Sequence, residues 1–458
     1  MTQDPLQAAR SCELHVHIGG CVSVDDLIHL GGPFAAEIDW SLYIDAYAAA
    51  FGIRPDPADW VHRAAAGDKA AIRQIREHFV YTEADGADFT RFMAKFNFAI
   101  AVLRHHQSID TYGDCVTRAV EGQRLQGIRY LEMRAWTPAG PNQPADFLSF
   151  HQRHARMIAA CCQPGFTVRY VPSLPREEPL AAYTILRQWL DEDPELAQVV
   201  AGFDFCHFEE GFPPRTTRAF FDQFFEDEAT RSDRPGLDVL YHVGEIYFDK
   251  SLESAVRWCH EASELGARRL GHCIALGLDP AVAVSRRPEA HAAESAAERI
   301  DQIDYDLRHR QGLESAGVEI DAAGLQTERE DLRSQASDTP MLRVYDEQRL
   351  EQIRRRQSYV LQELTRRGTV IESCPSSNMR LGSVPNAAAH PIHRFLASDV
   401  PLVIGADDPG IFDSPLAAEV DWVASTTSLT VDELASRLGD PARFACGAGN
   451  TPAIQRST

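Results

Sequence analysis

A closed barrel of eight parallel strands, each followed by a helix, is the fold this sequence predicts, a (β/α)8 barrel of the α/β class. Three observations predict it. Eight short apolar, β-branched or aromatic runs recur along the chain, most of them separated by helix-length amphipathic stretches. Histidines and carboxylates stand at the ends of several runs, and a parallel barrel gathers its C-terminal strand ends at one mouth. The 458 residues are long for one domain, but barrels accept long excursions, so residues 1–458 are read as a single unit. A doubly wound open sheet is the alternative that the strand pattern alone leaves.

The first run, 12–17 (CELHVH), ends in His15-Val16-His17. Alternate residues of a strand share a face, so both imidazoles can point into the barrel and meet one ion. Residues 18–127 then carry several helical patterns, among them Phe89, Phe92, Met93 and Phe96 at helical spacing, a stripe that suits either plain core or a substrate lid. The next runs fall at 128–134, 166–172 and 199–206, the last leading into Cys206-His207-Phe208. The fifth, 237–243, continues into His242-Val-Gly-Glu245, and the sixth, 268–273, holds Gly271-His272.

Residues 281–366 are too long for a simple connection. They are rich in Ala, Glu, Arg and Gln, with opposite charges three or four apart, as in Glu347, Arg349, Glu351 and Arg354. This reads as a charged helical insertion, interrupted over residues 321–340, whose apolar positions Leu342, Val344, Leu350, Ile353, Val360, Leu361 and Leu364 would contact a second copy of the chain or cap the mouth. The last two runs, 369–374 and 400–406, follow, and the second leads into Asp407-Asp408-Pro409. Singly, each polar residue has a bland reading as packing or a cap. As an ordered set on strand ends they describe a metal site, and nitrogen ligands from three histidines with one aspartate suit zinc, with iron, cobalt or manganese as alternatives.

Composition excludes several function classes. A net charge of −22 repels duplex nucleic acid over most of the surface. The start, Met-Thr-Gln-Asp-Pro-Leu-Gln, has no signal-peptide pattern, and no apolar run is long enough for a membrane span. The ten scattered cysteines form no C-x-x-C pair and read as reduced thiols of a cytoplasmic protein. No P-loop is present, and only Lys69, Lys95 and Lys250 could support Schiff-base chemistry.

The segments ELHVHIGG, GIRYLEMRAWTP, GFDF, HVGE, RLGHC, ESCPSSN, HPIHRFL and IGADDPGIF resemble, in order, those of the adenosine and AMP deaminase family of the amidohydrolase superfamily. By position, the resemblance implies that His15, His17, His242 and Asp407 hold one zinc ion per chain. It makes Glu245 the acid that protonates a purine ring nitrogen, and His272 the residue that orients and deprotonates the metal-bound water. Asp408 would hold the attacking hydroxide. The implied reaction is hydroxide attack on the amino-bearing ring carbon of adenosine or a like amine, with release of ammonia. Gly19, Phe92, Phe96, His207 and Gly244 are the expected substrate contacts. The binuclear relatives' strand 4 lysine has no counterpart here, which favours one metal.

Two departures bear on substrate. The family's ribose-contacting aspartate is replaced by Gly19, and its Ala-Gly-Asp-Glu stretch by Cys206-His207-Phe208-Glu209-Glu210, so plain adenosine is not the expected best substrate. A nucleotide deaminase, with Arg176, Arg215, Arg218 or Arg380 on the phosphate, is a second enzyme reading. An assembly or regulatory subunit working through residues 281–366 is a third, of another class. Zinc chemistry of the cytidine deaminase kind is disfavoured, because H-x-E and P-C-x-x-C are absent.

Overall fold

The computed structural model describes residues 4–86, 88–231, 236–287 and 293–448. Eight strands overlap the eight sequence runs: β1 (Cys12–His17), β2 (Tyr130–Ala135), β3 (Thr167–Pro172), β4 (Gly202–Phe203), β5 (Asp238–Val243), β6 (Arg269–His272), β9 (Val370–Ser373) and β10 (Leu402–Ile404). Two further strands, β7 (Ala293–Ser295) and β8 (Pro340–Leu342), form a separate antiparallel ribbon. The eight are parallel throughout, in the orders β1-β2-β3 and β10-β9-β6-β5-β4.

Backbone hydrogen bonds join these two sets at both seams. Tyr170 bridges Val200 and Ser173 bridges Asp204 on one side; on the other, Val16 bridges Asp407. At that second seam the Asp407 amide donates to His15 O at 2.8 Å and the His17 amide to Asp407 O at 3.0 Å. The seam that completes the ring is therefore made by the residues expected to bind metal. Strands such as β5 are buried along their whole length, as parallel strands covered on both faces must be.

The chain between β1 and β2 is helical and ends in the long helices Phe89–Ser108 and Tyr112–Leu125. No helix among the described residues is long and apolar enough to cross a membrane. All ten cysteines are free.

The 281–366 segment divides in two, which corrects the expectation of one excursion lying outside the core. The helix Glu347–Arg367 packs on the helix Leu252–Leu265 and leads straight into β9, so it is the barrel's own sixth helix. Leu350, Ile353, Val360, Leu361 and Leu364 are buried there, whereas Leu342 and Val344 stay exposed on the ribbon side. The excursion proper is the ribbon with the helices Ala296–Arg308, Arg310–Ser315 and Ala322–Arg333. The interruption expected over residues 321–340 is confined to the part after Arg333: Asp321 caps the helix Ala322–Arg333 by accepting from the Gly324 amide at 3.1 Å, and the chain is then non-helical up to the ribbon. The excursion lies on the outer wall, where Arg215 pairs with Asp301 and Arg257 with Glu298.

Candidate active site

Strand ends bring the expected residues to one mouth. His15 and His17 project from β1, His242 from β5 and His272 from β6, while Glu245, Asp407 and Asp408 follow β5 and β10. His15 and His242 have ring centroids 4.7 Å apart, His15 and His17 5.7 Å, and His15 and His272 5.1 Å. Asp407 Oδ1 lies 3.2 Å from His17 Nε2 and 3.5 Å from His15 Nε2. Gly271 makes this crowding feasible, since a Cβ there would stand 3.0 Å from the His15 ring and 3.3 Å from that of His242. Gly20 does the same for Asp408, whose carboxylate fills the space a Cβ would take.

The donor set fits a divalent ion. His15 Nδ1 is held by Glu372 Oε2 at 2.7 Å and His242 Nδ1 by Asp204 Oδ1 at 3.1 Å, which turns both Nε2 atoms to one point, where Arg134 Nη1 stands 3.2 Å from the first and 3.5 Å from the second. The ligand atoms of His15, His242 and His272 lie within 4.8 Å of one another, as do those of His15, Cys374 and Asp407. Burial and Asp204 act oppositely on His242, and burial wins, pushing it down to about 3, so it is a neutral imidazole. Burial would raise Asp407, but hydrogen bonds from His15 and His17 outweigh it and hold the carboxyl well below its usual range.

His272 and Glu245 face each other, Nε2 to Oε2, at 3.7 Å. The Nδ1 of His272 is occupied by Asn378 Oδ1 at 2.9 Å, so its Nε2 is the nitrogen turned to the cavity. Burial raises the Glu245 carboxyl above its ordinary range, and burial together with Asp407 pushes Asp408 up to about 7. A carboxyl raised by burial thus sits beside an imidazole that burial would lower but Glu245 and Asp407 raise, a pairing that can exchange a proton. Three residues at the mouth, His207, His272 and Asp407, hold positive φ values of 72°, 66° and 60°, the kind of local strain that accumulates at functional sites.

The cavity above this cluster has a volume of about 1300 Å³ and includes Gly19, Phe92, Phe96 and His207 in its wall. Phe92 and Phe96 stack at 5.6 Å, and His207 stacks on Trp136 at 4.1 Å. Gly244, expected to touch substrate, is not among the lining residues: its N–H donates to Glu209 Oε2 at 2.8 Å, and Cys259 stands against its Cα.

The four arginines considered for phosphate are likewise elsewhere. Arg176 is buried and donates to Phe205 O and His242 O, Arg215 pairs with Asp301, and Arg380 caps Phe412 O. Arg218 is exposed and outside the cavity wall. The side chains of Arg176, Arg215 and Arg380 are consumed by backbone carbonyls or by surface pairing. The cationic groups that do line the cavity are Arg104, Arg153, Arg286 and the deep Arg134.

Sequence reasoning missed the layer beneath the imidazoles. Arg134 Nη2 donates to Glu372 Oε2 at 2.6 Å, Arg269 Nε to Glu372 Oε1 at 2.6 Å, and Asp204 lies 3.9 Å from Arg134 Nη1. All four are wholly buried. The available signal was charge inside otherwise apolar strand runs: the Glu132 and Arg134 of YLEMRA, the Asp204 of GFDF and the Glu372 of VIES.

Residues 343–443 match the adenosine deaminase family model. An aminodeoxyfutalosine deaminase of Acidothermus cellulolyticus is 36% identical over 88 residues, 19% of this chain and 21% of that one. An adenosine deaminase-like protein of Drosophila melanogaster is 38% identical over 71 residues, 16% of this chain and 21% of that one. The matched stretches thus span about a fifth of the length of these curated relatives. The Arabidopsis N6-mAMP deaminase has the same fold, with a TM-score of 0.52 over 97% of this chain and 95% of its own at 13% identity. These findings agree with the resemblance and with the barrel read from the sequence.

Proposed function

We propose, from the chain's kinship with the adenosine deaminases, that it is a mononuclear metal-dependent aminohydrolase acting on a purine nucleoside or a closely related amino-heterocycle. The observation that carries this reading is the Nε2 convergence of His15 and His242, backed by carboxylates, opposite the Glu245–His272 pair. His15, His17, His242 and Asp407 would hold the ion, with zinc the best match to the donors. When bound, such an ion supplies the Lewis acidity that lets water ionise near neutral pH.

The protein's own groups account for the rest. His272, with Nδ1 committed to Asn378, takes up the proton of the attacking water at Nε2. Glu245, whose carboxyl burial raises toward its protonated form, donates to the ring nitrogen as the ring carbon accepts the nucleophile. Asp408, against Gly20, orients the incoming water from the opposite side. The amino group leaves as ammonia with the proton His272 has taken up, and the hydroxyl's remaining proton returns to Glu245 as the ring is restored. The aromatic wall of Phe89, Phe92 and Phe96 excludes water from the ring face.

The cavity bears on the substrate. Phe96 Cζ lies 3.4 Å from where a Cβ would stand at Gly19, so an aromatic edge replaces the expected ribose contact, and adenosine itself is not the preferred amine. A nucleotide is the second reading, favoured by Arg104 in the wall, where Arg153 and Arg286 are engaged by Asp110 and by Gly382 O. Structures of Arabidopsis ADAL with GMP and with IMP are of the same fold. Ten free cysteines suit a reducing, cytoplasmic setting.

Ammonia release from a panel of purines, nucleosides and nucleotides by metal-replete protein tests the reading. Glu245→Gln should lower turnover about 10²–10⁴-fold at unchanged metal content, the usual worth of a positioned acid. No ammonia from any amine, or an unaltered rate in that variant, would overturn it.

A further inference from the structure

Outside the barrel mouth, a second group of ligand-type side chains lies where the excursion meets the outer wall. His260 and Glu264 are one turn apart on the same face of the helix Leu252–Leu265. His309, at the C-terminal end of the helix Ala296–Arg308, faces them from the excursion. The ligand atoms of the three lie within 4.8 Å of one another, and His309 Nε2 stands 3.3 Å from Glu264 Oε2. Glu363, on the barrel's sixth helix, brings a second carboxylate to 3.9 Å from His260 Nε2.

A histidine with a purely packing role would have both ring nitrogens satisfied or one of them in water. His260 has neither. It is wholly buried, its Nδ1 is engaged by Tyr305 Oη at 2.8 Å, and its Nε2 has no hydrogen-bond partner. Tyr305 Oη can accept from Nδ1–H, and in that tautomer the Nε2 presents a bare lone pair toward Glu264, Glu363 and His309, the arrangement that an outer-sphere partner imposes on a ligating imidazole. Leaving that lone pair unmatched in a dry interior is costly, and an ion would remove the cost. The other charged neighbours are Arg367, whose Nη2 is 3.4 Å from Glu264 Oε1, and Arg366, paired with Glu363. Arg308 also approaches, with its Nε 3.3 Å from His309 Nε2. Arg308 is exposed and can swing into solvent, and the two carboxylates stand against Arg366 and Arg367.

We propose that His260, Glu264 and His309 bind a structural divalent transition-metal ion, with Glu363 or water completing the set, which staples the excursion to the barrel wall. Two imidazoles and a carboxylate are zinc-type donors, and a cobalt ion would report on them. The ligands come from elements far apart in sequence, so binding links the excursion to the fold it decorates. None of these residues belongs to the mouth, so the site stands or falls apart from the proposed activity.

Elemental analysis of the full chain, stripped with chelator, reloaded with zinc and desalted, tests this. Wild type should hold about two ions per chain, and His309→Ala and Glu264→Gln about one each. Both variants should keep the wild-type rate of ammonia release while losing part of the rise in Tm on zinc addition. Metal content identical in wild type and His309→Ala would overturn the proposal. His17→Ala separates the two sites: if the mouth binds no ion, that variant leaves the count unchanged while His309→Ala still lowers it. Should His309→Ala fail to fold, cobalt titration of His17→Ala decides instead. Tetrahedral visible bands at one equivalent support the staple, and their absence overturns it.

Discussion

Arginine–carboxylate pairs occur in two settings in this molecule, and they do different work. Under the barrel mouth, Arg134 and Arg269 face Glu132, Glu372 and Asp204 with no exposure to solvent. On the excursion, a pair such as Arg310–Glu314 stands about half in water. Burial alone would raise Glu372, yet Arg134 and Arg269 outweigh it and hold its carboxyl well below the usual range. Three carboxylates against two guanidiniums leave the layer with a negative excess beneath the imidazoles, which favours a cation above them. The outer pairs hold no such geometry. What separates the two regions is desolvation: a buried charge fixes its partners because losing one strands the other.

The comparison is broken most severely at Glu372. Glu372→Ala removes the carboxylate that serves His15, Arg134 and Arg269 together. Loss of one partner from a buried pair costs about 3–5 kcal/mol, so this variant should be strongly destabilised in urea and should lose metal from the mouth. A cost below about 1 kcal/mol would show that the layer relaxes and that burial is not what makes it strong.

The same physics explains what the sequence disclosed. All eight strands and the seven polar residues of the mouth were legible, because strand ends in a parallel barrel converge whatever the loops do. The charged layer was not, because Arg134, Asp204 and Glu372 sit within strand runs whose apolar neighbours dominate the pattern. Gly244, a contact that the resemblance implies, turns its N–H to Glu209 instead. The boundary at Glu347 was hidden because its helix is amphipathic and charged like the excursion before it. Only packing on Leu252–Leu265 separates the two.

Glu253 tests the middle of the range. It lies at the junction of barrel and excursion, where Arg349 donates to both of its oxygens, at 2.8 and 3.0 Å. Burial opposes ionisation, but Arg349 and then Arg343 overcome it and bring the carboxyl down to about 2. A depressed folded value means the stabilisation is present above the unfolded value of about 4.3 and is lost as pH falls through the folded one. At most about 3 kcal/mol is involved, on 1.36 kcal/mol per unit. The Tm advantage of wild type over Glu253→Gln should therefore be constant from pH 7 to about 5 and shrink between about pH 4 and 2. An advantage independent of pH would mean that shape, and not charge, anchors the sixth helix.

The smallest effect belongs to the excursion's surface, and Glu314→Ala measures it. Arg310 Nε and Glu314 Oε1 are 2.7 Å apart, with side chains 52% and 42% exposed. Water screens the pair, and both long side chains give up rotamer freedom to hold it. The order also matters, because an arginine N-terminal to its glutamate at i,i+4 runs against the helix dipole. Alanine, moreover, is a better helix former than glutamate, which offsets part of any loss. The variant should fall within about 0.5 kcal/mol of wild type in urea unfolding, and added salt should not widen the gap. A loss above about 1 kcal/mol would mean the short helix Arg310–Ser315 depends on its charges, and the boundary between pairs that matter and pairs that do not would have to move outward to include it.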